Sequence, residues 1–323
     1  MNRRSFLTLS SAAAASLAVG ASAFAVKRQS LDAEGYASLR RFAVLPMGRI
    51  AYVEQGEGPR AALFLHGFPL NGYQWRGALE RLAPYRRCIA PDLMAMGYSE
   101  VAESQSITPE TQVEMLAALL ESLHVHEVDL IANDSGGLVA QLFLTQYPER
   151  VRSLLLTNCD VDANNPPAKF LPAVELAKRG MFAERYLTPQ LADKQIARSQ
   201  RGIGGAFTYP EALADGTIEM YLRPLVASPL RKSQLDAYTV ALGANVLTPV
   251  REKLRHWHRP ARMVWAMKDS FFGAEWADWL DHTLPRSRGV RRLQDANLFF
   301  PEEMPDVIAE EARHLWSGRN VSS

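Results

Sequence analysis

The sequence predicts an α/β protein with a mostly parallel sheet flanked by helices and a helical cap inserted into it. Short apolar runs with the length of buried strands alternate with helical patterns up to about residue 160. Between residues 161 and 247 this alternation stops, and short helical stretches broken by Gly and Pro replace it. The strand pattern returns near the C-terminus, which favours an insertion into one sheet over two consecutive domains.

The individual elements follow from local patterns along the chain. Strands are predicted at residues 42–53 (two short strands around a turn), 61–65, 87–90, 128–132, 151–157, 261–266 and 289–293. Helices are predicted at residues 111–125, 136–147 and 302–316. In the first of these helices, the apolar side chains that share one face at spacings of three and four are Val113, Leu116, Leu120 and Leu123.

These elements divide the chain into four parts. Residues 1–25 form an export signal, residues 26–160 the first part of the sheet domain, residues 161–247 the cap, and residues 248–323 the second part of the sheet domain. Pro166-Pro167 opens the cap, and a Gly-rich stretch at residues 201–205 interrupts it.

The N-terminus resembles a twin-arginine export signal. Arg3 and Arg4 precede Ser-Phe-Leu and an Ala-rich apolar run, and Ala21-Ser22-Ala23 or Ala23-Phe24-Ala25 offers the small residues that a signal peptidase requires. The resemblance implies the twin-arginine translocase as a partner during export and a periplasmic or secreted mature protein without a membrane span. The alternative is an uncleaved membrane anchor, for which the run is short and polar.

Composition excludes several other classes of protein. Lys and Arg total 36 against 35 for Asp and Glu, so the basic excess typical of nucleic-acid binding is missing. Cys88 and Cys159 are too few for a disulfide framework, lack the spacing of metal ligands and lie in apolar runs, as buried thiols do. We therefore expect no metal, no cofactor and no nucleic-acid partner.

A catalytic turn is predicted within residues 128–140, VDLIANDSGGLVA. An apolar strand enters a tight turn of small residues and leaves as a helix, which is the setting of a nucleophile elbow. The pattern small-x-nucleophile-x-small-small places Asp134 at the nucleophile position, with Ala132, Gly136 and Gly137 at the small positions. Two alternatives stay open: Ser135 as the nucleophile, with Asn133 at a small position, and a turn that carries no chemistry.

Together with this elbow, three further motifs in order resemble the α/β-hydrolase fold of the epoxide hydrolase and haloalkane dehalogenase type. They are HGFP at residues 66–69, PDLMAMGYS at residues 91–99 and PEEMP at residues 301–305. The second motif departs from the family pattern at Ala95, where the family has a glycine. The resemblance covers about residues 40–318.

The resemblance implies a two-step mechanism. A carboxylate attacks an electrophilic carbon to form an alkyl ester, and a histidine oriented by a second carboxylate then activates water to hydrolyse it. By position, Asp134 is the nucleophile, the N–H groups of Phe68 and Ser135 stabilise the oxyanion, and Asp269 is the orienting acid. Asp160 is a competing acid. It follows the strand predicted at residues 151–157, and some relatives place the orienting acid at the end of the corresponding strand.

The position of the family's histidine holds Asn297 in this chain. An amide has no basic nitrogen with which to take a proton from water. None of the seven histidines can be assigned the base role from the sequence. Besides a hydrolase, two other functions therefore stay open: a ligand-binding pseudoenzyme, and a lyase or cyclase that forms no ester.

Aromatic residues are the candidates for substrate binding. The five residues predicted to bind substrate are Trp75, Phe272 and the cap tyrosines Tyr186, Tyr209 and Tyr221. Phe182 and Phe207 are further residues expected to make the pocket apolar, and Tyr238 is a fourth cap tyrosine. In epoxide hydrolases, cap tyrosines protonate the epoxide oxygen, whereas aromatic residues elsewhere are common in any core. The expected substrate is small and mostly apolar, of the epoxide, haloalkane or ester class.

Overall fold

One twisted sheet runs through the computed structural model, which describes residues 31–317; the predicted export signal at residues 1–25 lies outside the described residues. Within that range, nine strands pair in the order β1-β2-β4-β3-β6-β7-β8-β9, and β5 pairs with β2. The strands are β1 (Arg40–Leu45), β2 (Gly48–Gln55), β3 (Ala61–Leu65), β4 (Arg87–Pro91), β5 (Glu100–Val101), β6 (Val128–Asp134), β7 (Val151–Cys159), β8 (Ala261–Ala266) and β9 (Ser287–Leu293).

The central strands are parallel and apolar because helices cover both faces of the sheet. Pairing is parallel from β4 through β3, β6, β7 and β8 to β9, and every residue of β3 is buried. The helices outside the cap are α1 (Ala33–Ser38), α2 (Arg76–Leu82), α3 (Pro109–Ser122), α4 (Ser135–Gln146), α10 (Arg251–Arg255), α11 (Ala274–Thr283), α12 (Phe300–Glu303) and α13 (Pro305–Ser317). The mostly parallel α/β sheet is confirmed.

The insertion between β7 and β8 is helical, as its composition predicts. Its helices are α5 (Leu171–Ala177), a π-helical turn (Ala183–Leu187), α6 (Thr188–Ala192), α7 (Lys194–Arg198), α8 (Asp215–Val226) and α9 (Pro229–Ala241). Polar contacts join the two ends of this cap. Asp162 forms an ion pair with Arg251 at 2.6 Å, and the Asn165 side chain accepts a hydrogen bond from Val246 N–H at 2.9 Å.

The C-terminal helix differs from its prediction. The sequence predicts one helix over residues 302–316, but α12 ends at Glu303 and α13 begins at Pro305. Proline has no N–H and clashes with the preceding turn, so it starts a helix more readily than it continues one. Cys88 and Cys159 are buried free thiols, as predicted. In residues 31–317, no helix is long and apolar enough to cross a membrane.

Candidate active site

The turn between β6 and α4 has the strained geometry of a nucleophile elbow. Asp134 adopts φ 54° and ψ −132°, a conformation that is unfavourable for a residue with a side chain. A Cβ atom added at Gly136 would lie 2.5 Å from the backbone oxygens of Leu65 and His66, and one at Gly137 would lie 2.3 Å from Cys159 Cβ. The small residues are therefore required because the helix packs directly against the neighbouring strands.

The two N–H groups predicted to stabilise an oxyanion contact the carboxyl group of Asp134 itself. Phe68 N–H donates to Asp134 Oδ1 at 2.6 Å, and Ser135 contributes hydrogen bonds from its backbone and its side chain. Burial raises the pKa of Asp134 to about 6, although these hydrogen bonds oppose the rise. The structure thus brings together Asp134, Phe68 and Ser135.

Asp269 lies just after β8, behind the wall of the cavity described below. Its carboxyl oxygens accept hydrogen bonds from Asn158 Nδ2 at 2.9 Å and from Phe271 N–H at 2.8 Å. Burial raises the pKa of Asp269 to about 7, and the nearby charge of Asp134 adds to this rise. Asp269 itself does not line the cavity, whereas the adjacent Phe271 and Phe272 do.

Asp160, the competing acid, lines the cavity. It directly follows Cys159, which pairs with Asp134 across β6 and β7. Only 6% of its surface is exposed, and Asn165 Nδ2 donates to its Oδ1 at 3.2 Å. Burial raises the pKa of Asp160 to about 8, with a further contribution from the charge of Asp134. The sequence pattern favoured Asp269, and only the folded chain shows which carboxyl group reaches the cavity.

Asn297, at the family's histidine position, contacts the cap. Its Nδ2 donates to the carbonyl oxygens of Gly205 at 3.0 Å and Phe207 at 3.3 Å, and its Oδ1 accepts from Leu298 N–H at 2.9 Å. The side chain therefore fastens the loop after β9 to the cap and does not line the cavity. The ring of Phe299 lies beside the nucleophile. A Cβ atom added at the neighbouring Gly67 would lie 2.9 Å from this ring.

No histidine lines the cavity in the described part of the chain. His66 is fully buried; its Nε2 accepts from Leu93 N–H at 3.0 Å, and its Nδ1 lies 2.9 Å from the Gly67 carbonyl oxygen. Burial lowers the pKa of His66, so it is a neutral structural residue. The others are exposed or half-buried on helices and turns: His124, His126, His256, His258, His282 and His314.

A cavity of about 470 Å³ lies between the elbow and the cap. This volume is typical of sites for small ligands. Its polar side chains are Asp134, Ser135, Asp160, Lys169, Gln200 and Ser270. Its wall is otherwise mostly apolar, with Phe68, Phe170, Leu176, Phe182, Tyr186, Ile203, Leu242, Phe271, Phe272, Leu298 and Phe299 among its members.

Of the five residues predicted to bind substrate, Tyr186 and Phe272 line this cavity and three do not. Trp75 is fully buried in the core, where it packs on Phe64. Tyr209 is half exposed at the protein surface. Tyr221 is fully buried, and its hydroxyl donates to Glu302. These three side chains therefore lie away from this cavity, in the core of the sheet domain, at the surface and beside Glu302, respectively.

Sequence reasoning missed most of the apolar wall. Phe182, one of the residues expected to make the pocket apolar, lines the cavity, whereas Phe207 does not. Phe170 and Leu176 of the cap and Phe299 of the last loop carry no motif, so no local signal distinguishes them from core residues. Tyr238, the fourth cap tyrosine, is fully buried, and its hydroxyl has no hydrogen-bond partner within residues 31–317. Burial raises the pKa of Tyr238, and the charges of Asp134 and Asp160 raise it further.

Comparison with known proteins supports the same family. The profile of the alpha/beta hydrolase fold matches residues 62–303. Haloalkane dehalogenase 2 of Mycobacterium tuberculosis H37Rv is 26% identical over 281 residues, which cover 81% of this chain and 89% of that protein. The cis-3-alkyl-4-alkyloxetan-2-one decarboxylase of Shewanella oneidensis is 29% identical over 281 residues, 83% of this chain and 85% of the relative.

A solved structure extends the likeness to the fold. The haloalkane dehalogenase DbeA from Bradyrhizobium elkani USDA94 superposes with a TM-score of 0.70 at 20% identity, covering 87% of this chain and 99% of that one. The sheet order, the strained elbow and the profile match agree with one another. The chain therefore belongs to the α/β-hydrolase fold family.

Proposed function

We propose that this protein is a hydrolase that attacks a carbon atom of a small, mostly apolar electrophile through Asp134. The observation that carries the proposal is the 2.6 Å hydrogen bond from Phe68 N–H to Asp134 Oδ1. A serine nucleophile would need this donor for the oxygen of its substrate. Here the donor already holds an oxygen of Asp134, which becomes the carbonyl oxygen if Asp134 forms an ester. The substrate classes are epoxides, haloalkanes and esters.

The proposed reaction has two steps. An oxygen of Asp134 forms a bond to the substrate carbon while the carbon's bond to its leaving group breaks, which gives an ester on the enzyme. Water then adds to Cγ of this ester, and the N–H groups of Phe68 and Ser135 stabilise the resulting oxyanion. One such donor typically contributes about 10²–10³ in rate. The apolar cavity wall keeps other water away from the ester.

A second candidate function rests on the lack of a histidine among the described lining residues. If no other group activates water, the protein is a ligand-binding pseudoenzyme, or a lyase or cyclase that forms no ester. The proposal also includes export by the twin-arginine translocase to the periplasm or the cell exterior, which the Arg3-Arg4 motif supports.

Single-turnover labelling in H₂¹⁸O tests the hydrolase. The protein is incubated in excess over 1-bromohexane or 1,2-epoxyhexane and then digested. The masses of its peptides are measured by mass spectrometry. We expect a hexyl or hydroxyhexyl adduct on Asp134, followed by ¹⁸O in the Asp134 carboxyl group rather than in the product. A hydroxyhexyl adduct from the epoxide that persists without product would support the pseudoenzyme, and binding of both probes without an adduct would contradict attack by Asp134.

Two variants complete this experiment. Asp134→Asn should form no adduct, because an amide is a poor nucleophile. Ser135→Ala keeps the backbone N–H and should still form the adduct on Asp134. Loss of product in Ser135→Ala together with unmodified Asp134 in the native protein would instead identify Ser135 as the nucleophile.

A further inference from the structure

Asp160 is a cavity-lining carboxyl group that the proposed reaction does not yet use. Only 6% of its surface is exposed, and among the described residues 31–317 no Lys, Arg or His forms an ion pair with it. The side-chain donor that it does have is Asn165 Nδ2, at 3.2 Å from Oδ1. A buried carboxyl group without a cation is held in its neutral, protonated form, because ionisation in such a place is costly.

Asp160 lies at the same end of the sheet as the nucleophile. Cys159 pairs with Asp134, so Asp160 stands at the end of the neighbouring strand, and adjacent strands lie about 4.8 Å apart. Both carboxyl groups line the same cavity. The other titratable groups around Asp160 are Cys159 on its own strand and Tyr238 on α9, while Lys169 lines the cavity without pairing with it.

We propose that Asp160 is the proton donor for opening an epoxide ring and then the proton acceptor for hydrolysis of the ester. The inference rests on the proposed function, since it requires the ester on Asp134. It assigns one group to both steps, in the way that the acid of a retaining glycosidase becomes its base. It also makes strained cyclic ethers the substrate class that this site turns over fastest at neutral pH.

The protons balance through the cycle. In the first step Asp134 carboxylate bonds to an epoxide carbon, the ring C–O bond breaks, and the released oxygen takes the proton of Asp160. In the second step the Asp160 carboxylate takes a proton from water as the water oxygen bonds to Cγ of the ester. When the ester C–O bond breaks, its oxygen takes the proton of the new carboxyl group on Asp134. A diol leaves, Asp134 is again a carboxylate and Asp160 again carries its proton.

An alkyl bromide would react with Asp134 without the proton of Asp160. Bromide leaves as an anion without needing a proton, so Asp134 is alkylated while Asp160 stays protonated. The ester then has no adjacent base until the pH rises enough to ionise Asp160, whose pKa burial still raises after the ester has removed the charge of Asp134. The site should therefore turn over an epoxide at pH 7 and accumulate an alkyl ester from a bromide of the same carbon skeleton.

The test compares 1,2-epoxyhexane with 1-bromohexane on the native full chain and on Asp160→Asn. At pH 7 we expect the variant to open the epoxide about 10²–10⁴-fold more slowly, the usual contribution of a general acid. Alkylation of Asp134 by 1-bromohexane should stay within tenfold of the native rate. Hydrolysis of the hexyl ester should accelerate between pH 7 and pH 9 in the native protein and stay flat in Asp160→Asn.

A matched control and a rescue experiment separate chemistry from structure. Asp162→Asn lies two residues along, removes a carboxylate paired with Arg251 and does not alter the cavity lining, so the ratio of the two rates should not change. Asp160→Ala should lose epoxide opening as Asp160→Asn does, and added formate should restore part of the hydrolysis of the hexyl ester by supplying a carboxylate base.

The outcomes are distinguishable. Equal losses for both probes in Asp160→Asn, or an undiminished rate of epoxide opening, would overturn the role of Asp160. A native protein that is alkylated by the bromide but does not open the epoxide would overturn it too, while leaving the proposed function intact. If neither probe modifies Asp134 in the native protein, both the proposed function and this inference fail.

Discussion

Replacing Asp160 with asparagine should stabilise the folded protein, and increasingly so as the pH rises. Burial raises the pKa of Asp160 in the folded chain to about 8, from 3.8 for a free side chain. Below about pH 4 the group is protonated in both the folded and the unfolded chain, and its full contribution to stability is present. As the pH rises towards 8, the unfolded chain loses this proton first, so the free energy of unfolding falls. The amide of the variant carries no charge and escapes this loss.

The size of the effect follows from the pKa shift. One pKa unit corresponds to about 1.36 kcal/mol, so a shift of about 4 units costs roughly 5 kcal/mol once the pH exceeds 8. At pH 5 the same relation gives only about 2 kcal/mol. With 6% of its surface exposed, Asp160 is hardly screened by water. The amide oxygen of the variant can still accept the hydrogen bond from Asn165, so little is lost in exchange.

Urea unfolding of the native protein and of Asp160→Asn at pH 5, 7 and 9 measures the difference. We expect the variant's advantage to grow by several kcal/mol across this range. Asp162→Asn serves as the control, because it removes one partner of a 2.6 Å ion pair and should therefore lower stability at all three values. Parallel pH profiles for the native protein and Asp160→Asn would refute the reasoning, since Asp160 would then ionise as freely in the folded chain as in the unfolded one.

Three further predictions concern the cap, the elbow and the export signal. Asn297→Ala removes two hydrogen bonds to cap carbonyl oxygens and should lower the free energy of unfolding by about 1–3 kcal/mol in urea; no change would mean that the loop and cap do not depend on them. Gly136→Ala places a Cβ atom 2.5 Å from two backbone oxygens and should cost more than about 2 kcal/mol, seen as a lower unfolding temperature; an unchanged temperature would contradict the close packing of the elbow. Changing Arg3 and Arg4 together to Lys should leave the precursor in the cytoplasm, because Lys lacks the planar fork of Arg; normal export in cell fractionation would disprove the signal.

Much of the fold could be predicted because its signals are local. The run at residues 61–65 is apolar at every position, and it forms β3 with those bounds. The strand predicted at residues 128–132 extends to Asp134, because its pairing with β7 continues as far as the elbow residue itself. The single helix expected at residues 302–316 failed for a reason that is also local, since Pro305 separates two helices.

Local patterns predict the sheet, the helical insertion and the elbow that presents Asp134, because spacing and small residues act within a few positions of one another. Which other side chains meet Asp134 depends instead on how the whole chain folds. Asp160 reaches the cavity while Asp269 stays behind its wall, and Asn297 binds the cap some 90 residues away in sequence. Burial, ion pairing and the resulting pKa of a carboxyl group depend on neighbours that come from distant parts of the chain. No local pattern records them, and they are the properties on which the chemistry of this site depends.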